Sequence, residues 1–384
     1  MKKKFYWKSV FNFLWVLLLI LGIFYVNTAL KDQQNGFKSK KVTTIEKKQD
    51  DNNIKLTTPK VKALKTSKMA AYIGVSSSVI LTDFGQPTAT VASASNLKWW
   101  LYNLNNQSYL KIGIDQYTKK VAAIFVVGPS KAQGKLKVGL SFKRLLQLTT
   151  LYANFKFNYR EQAFQYELSE NDLNRHPLIS FKNGSYAIAY LKPKTKQIYA
   201  LEYLNTDTLL KKNLYHLVAP VPLPAQYQGE VDWQQLEQML PADFLQLVNA
   251  KRRQQSRAVI SVDPNLNAQT HAAADKLFKS PRNWLQSAQA KQLKSILNDD
   301  FSQKKTIFLH RSKLSKKRLK LLGLENYSKV KLWVIAPIYS SSTIFDQPKL
   351  LSSWINSFVE TGRYRIGMYY EHGVLVIISS KGGI

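Results

Sequence analysis

The sequence predicts a mixed α+β protein held behind one N-terminal transmembrane helix. Three observations carry this. Residues 10–30, VFNFLWVLLLILGIFYVNTAL, are apolar and uncharged. Short aromatic and β-branched runs of strand character fill the first half of the chain beyond residue 70. From Asp243 onward, amphipathic helical stretches alternate with strands.

The apolar segment comes first because it fixes the compartment. Phe13 to Val26 is unbroken apolar sequence, and at 1.5 Å per helical residue the whole segment is about long enough for a bilayer core of ~30 Å. Lys2, Lys3, Lys4 and Lys8 precede it without an acid, which keeps residues 1–9 in the cytoplasm and sends the remaining chain outward. Trp7 and Tyr25 stand near its ends, where amphipathic rings favour the interface. A cleaved signal peptide shares this pattern. The run is longer than a usual signal h-region, however, and Val26-Asn27-Thr28-Ala29 offers only a weak small-residue pair, so an uncleaved, single-pass signal anchor is the expectation.

The 384 residues leave room for two further domains. The absence of cysteine excludes disulfides, thiolate metal sites and cysteine nucleophiles, and it suits a Gram-positive surface protein. Lys and Arg total 56 against 24 Asp and Glu, a net charge of +32. Such a field attracts polyanions. Outside a membrane these are anionic lipid headgroups and cell-wall polymers. No nucleic-acid module is recognisable, so nucleic acid is not an expected partner.

Residues 31–66 form a stalk. The stretch from Lys31 to Lys68 holds eleven lysines, four acids and few large apolar side chains, too little to offset chain entropy by burial. From residue 67 a strand-rich domain is expected, extending to 219. Tyr109 to Ile114 alternates, Val121 to Val127 is a β-branched run, and Gly128-Pro129 closes it. After a break near residues 128–135 a second sub-unit starts at Leu136-Lys137-Val138-Gly139-Leu140, echoing Ile73-Gly74, with further strands at Phe155–Leu168, Ser185–Leu191 and Gln197–Leu204. Pro220, Pro222 and Pro224 mark a linker assigned to 220–241.

These residues resemble a known family. Ile73-Gly74, then Phe84-Gly85-Gln86-Pro87, Trp99-Trp100-Leu101-Tyr102-Asn103, Tyr109 to Ile114 and the Gly-Pro break look like the domain found on the N-terminal side of CAP domains in Firmicutes. Tyr166-Glu167-Leu168-Ser169, Asp172, Pro177-Leu178-Ile179 and Leu204 to Leu210 resemble its closing pattern. Residues 242–384 in turn resemble the CAP superfamily, the cysteine-rich secretory, antigen five and pathogenesis-related group. Leu247-Val248-Asn249 with Arg252, then Asp263-Pro264-Asn265-Leu266, resemble its opening. Ile307 to Ser312 looks like the F-x-H-[ST] box with Arg311 intruding, Arg318 to Gly323 like the next helix, and Trp354 to Ser357 like the W-x-x-S helix. Ile366 to Tyr369 and Val374 to Ile378 look like the last two strands. The fold implied is an α-β-α sandwich.

The resemblance also implies a cleft of two histidines and two acids able to hold a divalent metal. Carried over residue by residue, this set is eroded. His310 fits the first histidine. The box that should bring a glutamate near Val330 to Val334 reads V-K-L-W-V, and Glu325 lies a few residues early. The second histidine is missing from Ser357 to Tyr364, and His271 sits two positions, about 200° of helix, from the place of the helix histidine at Ala273. A metal needs three or four converging ligands, so no metal and no cofactor are expected. No G-x-S-x-G, H-E-x-x-H or Walker loop offers other chemistry.

What remains points to binding. Arg311, Lys313, Lys316, Lys317, Arg318 and Lys320 put six cations into ten residues, and from Asp243 onward basic residues outnumber acidic ones 23 to 9. They are candidate anion-binding residues, or simply a solvated helix face. Trp99 and Trp100 are candidate stacking residues for a sugar or peptide, although neighbours on a strand face opposite ways. The expectation is a membrane-anchored, non-catalytic envelope-binding module. The alternative is an envelope hydrolase with an unconventional site at His310 and Glu325.

Overall fold

A computed structural model describes residues 61–66, 68–93, 95–104, 108–129, 133–219, 231–298, 306–359 and 364–381. The expected anchor at 10–30, the stalk up to residue 60 and the proline-punctuated linker at 220–230 lie outside the described residues. Among the described residues no helix is long and apolar enough to cross a membrane.

The first lobe starts with α1 (Met69–Tyr72), α2 (Ser77–Phe84), β1 (Ala89–Val91), β2 (Leu97–Leu104), β3 (Ser108–Asp115) and β4 (Val121–Val127). It continues with α3 (Phe142–Leu148), β5 (Asn154–Tyr159), β6 (Gln162–Glu167), α4 (Glu170–Arg175), β7 (Leu178–Ser180), β8 (Tyr186–Leu191), β9 (Ile198–Leu204), α5 (Thr206–Lys212) and β10 (His216–Val218). Seven strands make one antiparallel sheet in the order β1-β2-β3-β4-β9-β8-β7, and β10-β6-β5 make a smaller one. β4, β8 and β9 are buried along their whole length, which explains their nearly unbroken apolar sequences: such strands have no solvent face to alternate against.

The echo between Ile73-Gly74 and Val138-Gly139 is a structural repeat. Both glycines have φ of +88°, a region open to glycine and strained for other residues. Each donates its N–H at 2.8 Å to the first residue of a central strand, Gly74 to Val121 and Gly139 to Ile198. Ser76 and Ser141 then cap the following helices α2 and α3. The strands to which the two glycines bond, β4 and β9, pair at the middle of the sheet, so the two expected sub-units form one continuous layer.

The second lobe runs α6 (Trp233–Gln254), α7 (Pro264–Lys279), α8 (Ser287–Leu297), β11 (Ile307–Arg311), α9 (Lys316–Leu322), β12 (Lys331–Ala336), α10 (Thr343–Asp346), α11 (Pro348–Trp354), β13 (Tyr364–Glu371) and β14 (Val374–Lys381). The boundary set at 242 from sequence needs correction: α6 begins at Trp233, capped by Asp232, and carries Pro241 inside it. Leu236 and Leu240 are fully buried, and that burial draws the end of the assigned linker into the helix. Asp263 caps α7 by accepting from the Leu266 N–H at 2.8 Å, and Pro264 opens its first turn, where a missing N–H costs nothing.

β11-β12-β14-β13 form an antiparallel sheet between two helical layers. On one face Leu332, Val334 and Val376 pack with Leu266, Leu277 and Leu293 of α7 and α8 and with Leu322 of α9. On the other, Trp333, Ile335 and Ile377 pack with Phe244 of α6, Phe345 of α10 and Trp354 of α11. This is the α-β-α sandwich the resemblance implied. Residues 58–384 make one compact unit, because the second face shares its core with the first lobe. Phe345 sits between rings of the seven-stranded sheet, 5.1 Å from Phe125 and 5.6 Å from Tyr190.

Candidate functional site

His310 lies on β11 opposite Trp333 of β12. Its ring stacks on the Trp333 indole, with centroids 4.7 Å apart and planes 9° apart. Nδ1 meets Ser353 Oγ of α11 at 3.2 Å, and the Trp333 indole N–H also points to that oxygen at 3.4 Å. Burial first, and Lys331 second, push the imidazole below its ordinary pKa. Glu325 is exposed in the turn after α9, and among the described residues no carboxylate pairs with His310. The structure therefore does not join His310 and Glu325 into an acid–base pair. Nor do these residues fit a divalent metal: a ring stacked on indole and hydrogen-bonded to a hydroxyl is one donor, and among the described residues no group of three or more metal-binding side chains converges. His271 is exposed on α7, its ring centroid 4.5 Å from that of Tyr369 with the planes tilted by 57°.

The six basic candidates divide. Arg311 donates from Nη2 to the Trp284 carbonyl at 3.4 Å, and the Arg318 guanidinium lies 5.7 Å from the centroid of the same residue's ring. Both are structural fasteners. Lys313, Lys316, Lys317 and Lys320 face solvent, and Lys276, Lys279, Arg282, Lys291 and Lys294 of the neighbouring helices join them. From residue 264 to 325 these nine exposed cations meet only two exposed carboxylates among the described residues, Asp275 and Glu325. None of the nine is in an ion pair with a described residue.

The stacking role expected of Trp99 and Trp100 is corrected. Trp99 is 6% exposed, with the Lys111 ammonium 4.8 Å above its ring. Trp100 is half-buried against the opposite face of the same sheet, packed with Tyr102, Ile112 and Ile124. Both faces of the sheet are covered, so neither ring is an open surface platform, and Trp99 instead forms part of the wall of the cavity between the lobes.

The densest chemistry lies between the lobes, at residues that pattern reading passed over. Lys111 of β3, fully buried, reaches Asp243 of α6 at 3.3 Å, Ser340 Oγ at 2.6 Å and Ser341 Oγ at 3.1 Å. Tyr109 donates its hydroxyl to Asp243. A second group joins α5 to α10: Lys212 lies 3.0 Å from both Glu202 and Asp346, and the Tyr190 hydroxyl stands 2.7 Å from Glu202 and 2.8 Å from Asp346. Burial raises the Asp346 carboxyl above its ordinary value against the opposing pull of Lys212, and those two carboxylates raise Lys212 in spite of its burial. This second group borders a cavity of about 270 Å³ lined from both lobes.

Residues 73–215 match the protein family described as CAP-associated N-terminal. The match covers less than half of the chain and describes this segment. The CAP-associated match thus covers α2 to α5 and the whole seven-stranded sheet, and the C-terminal lobe lies outside it. A curated relative, the uncharacterized membrane protein YlbC of Bacillus subtilis strain 168, is 22% identical over 209 residues, which are 52% of this chain and 57% of the relative. The chain therefore spans little more than half the length of that relative. Two solved structures share the fold. An extracellular protein containing a SCP domain from Bacillus anthracis strain Ames has a TM-score of 0.60 and 16% identity, with 88% of this chain and all of that chain covered. A cysteine-rich secretory protein from Staphylococcus aureus Mu50 has a TM-score of 0.59 and 15% identity, with 85% and all covered.

In the CAP-associated domain the sequence did carry a signal for the missed residues. Lys111 interrupts the run Y-L-K-I-G-I. The strand that carries it is buried from Ser108 to Ile114, so the lysine has to find a carboxylate in the interior. Asp243, Glu202 and Asp346 come from three distant segments, and only the docking of the CAP-like lobe onto the CAP-associated sheet brings them together.

Proposed function

We propose that this chain is a membrane-tethered protein of the cell envelope that binds anionic envelope polymer and performs no catalysis. The observation that carries the reading is the outer helical layer of the CAP-like lobe, where among the described residues nine exposed cations on α7, α8, α9 and their connections stand against two exposed carboxylates. Like charges held on one face without ion-pair partners among the described residues repel each other, and a bound polyanion relieves that repulsion while gaining from it. The apolar segment at 10–30, the membrane relative and the extracellular structural relative support an envelope location. The His310 environment, a stacked imidazole without a carboxylate, supports binding over hydrolysis.

The test is co-sedimentation of the full-length chain, held in lipid nanodiscs, with a polyglycerol-phosphate polymer at increasing salt. Binding is expected at low ionic strength and should fall as the Debye length shrinks from ~30 Å at 0.01 M to ~8 Å at 0.15 M salt. No binding at low salt overturns the proposal.

A further inference from the structure

Among the described residues, the group at the lobe junction is out of charge balance. Lys111 and Lys212 face Asp243, Glu202 and Asp346, two cations against three carboxylates, and all five side chains are at most 15% exposed. Tyr190 does not make up the difference. Its hydroxyl lies within hydrogen-bond distance of both Glu202 and Asp346, but it has one proton and can donate to only one of them. The other contact sets oxygen against oxygen. Burying an uncompensated carboxylate is costly, so this arrangement calls for one more positive charge or proton beside Asp346.

The cavity gives that charge a way in. Asp346, the most exposed of the three carboxylates at 15%, lines it together with Glu202 and Lys212. Among the described residues, the other charged groups along the wall do not supply the missing cation. Lys211 is paired with Asp207 at 2.7 Å, and Asp115 adds a further negative charge, its Oδ1 bound to the N–H groups of Tyr117 and Thr118. The rest of the lining is rich in hydroxyl and amide groups, with Ser93, Asn96, Ser342 and Thr343 among them. A volume of about 270 Å³ lies just below the ~300–1,000 Å³ of pockets for drug-sized ligands. It suits a molecule the size of one sugar ring.

We propose that the cavity between the lobes binds a small hydroxylated amine, of the size and chemistry of an amino sugar, with its ammonium group at Asp346. The hydroxyls of such a ligand exchange hydrogen bonds with the serine, threonine and asparagine lining, and its charge completes the balance of the junction. This site is separate from the basic helical layer and takes the opposite charge.

Calorimetric titration of the full-length chain with glucosamine, N-acetylglucosamine and glucose, at a slightly acid pH where the free amine is charged, tests the proposal. Glucosamine should bind, and the two uncharged sugars should bind roughly tenfold more weakly or worse. Asp346→Asn removes the excess negative charge, keeps the Tyr190 contact, and should abolish the preference for the amine. Gln347→Trp, at an exposed rim position whose side chain makes no cap bond, narrows the cavity and should weaken all three sugars without disturbing the junction. Lys317→Ala should leave glucosamine binding unchanged, which separates this site from polyanion binding. Equal affinity for the three sugars, no binding of glucosamine, or glucosamine binding that survives both cavity variants overturns the proposal.

Discussion

The Lys111 ammonium lies 3.3 Å from Asp243 Oδ2, with the two side chains 1% and 2% exposed, and this contact ties the middle of the CAP-associated sheet to the first helix of the CAP-like lobe. Desolvation pulls the lysine pKa down while Asp243 and Glu202 push it back up. Breaking such a pair from one side leaves a charge buried alone. Asp243→Ala should therefore destabilise the chain by about 3–5 kcal/mol in urea denaturation, whereas Lys111→Met with Asp243→Leu should recover most of that loss. A double variant no more stable than Asp243→Ala would show that the ion pair is not the source of the cost.

A further buried lysine predicts a pH dependence. Lys251 of α6 is 6% exposed, with its ammonium 3.8 Å from the centroid of the Tyr199 ring. Burial, aided by Lys192, lowers its pKa from 10.5 to about 7. Between those two values the unfolded chain holds the proton more than the folded chain does, so stability rises with pH across this window and falls as pH drops toward 7. Lys251→Met should raise the midpoint of thermal unfolding at pH 7 and flatten its rise between pH 7 and roughly 10. An unchanged slope in the variant would contradict this.

At Gly367 the α7 helix crosses β13 closely. A Cβ added there would collide with Thr270 Oγ1 and stand 2.5 Å from the Leu266 carbonyl oxygen. Since one obstacle is backbone, Gly367→Ala should cost about 1–3 kcal/mol or more, and adding Thr270→Ala, which removes the clashing hydroxyl, should not restore it. Thermal unfolding of the single and double variants provides the check; full rescue by the smaller side chain would mean that the backbone approach is not limiting.

Much of the fold was legible in the sequence, for identifiable reasons. β4 and β9 are short, β-branched or aromatic and closed by turns. α7 announces itself through Asp263-Pro264, a cap followed by a residue suited to the first turn. The echo of Ile73-Gly74 in Val138-Gly139 was visible because both copies need glycine at the same backbone angle. The start of α6 was hidden by Pro241, which reads as a linker residue until the helix that carries it is seen to bury Leu236 and Leu240. The candidate site was less legible. Six basic residues stand out as a run, but only the structure separates Arg311 and Arg318, committed to Trp284, from the four lysines facing solvent. Asp346, Glu202 and Lys212 have no common motif, since long-range packing alone makes them neighbours.

The central claim, that the CAP-like lobe binds envelope polyanion through its outer helical layer, is tested most directly by one titration. Full-length chain and its Lys313→Ala, Lys316→Ala, Lys317→Ala, Lys320→Ala variant, both in nanodiscs, are titrated with polyglycerol phosphate at low and physiological salt. The account predicts that the variant binds at least roughly tenfold more weakly, about 1.4 kcal/mol or more, and that its affinity changes less with salt. Equal affinity and an equal salt dependence for the two proteins would contradict it.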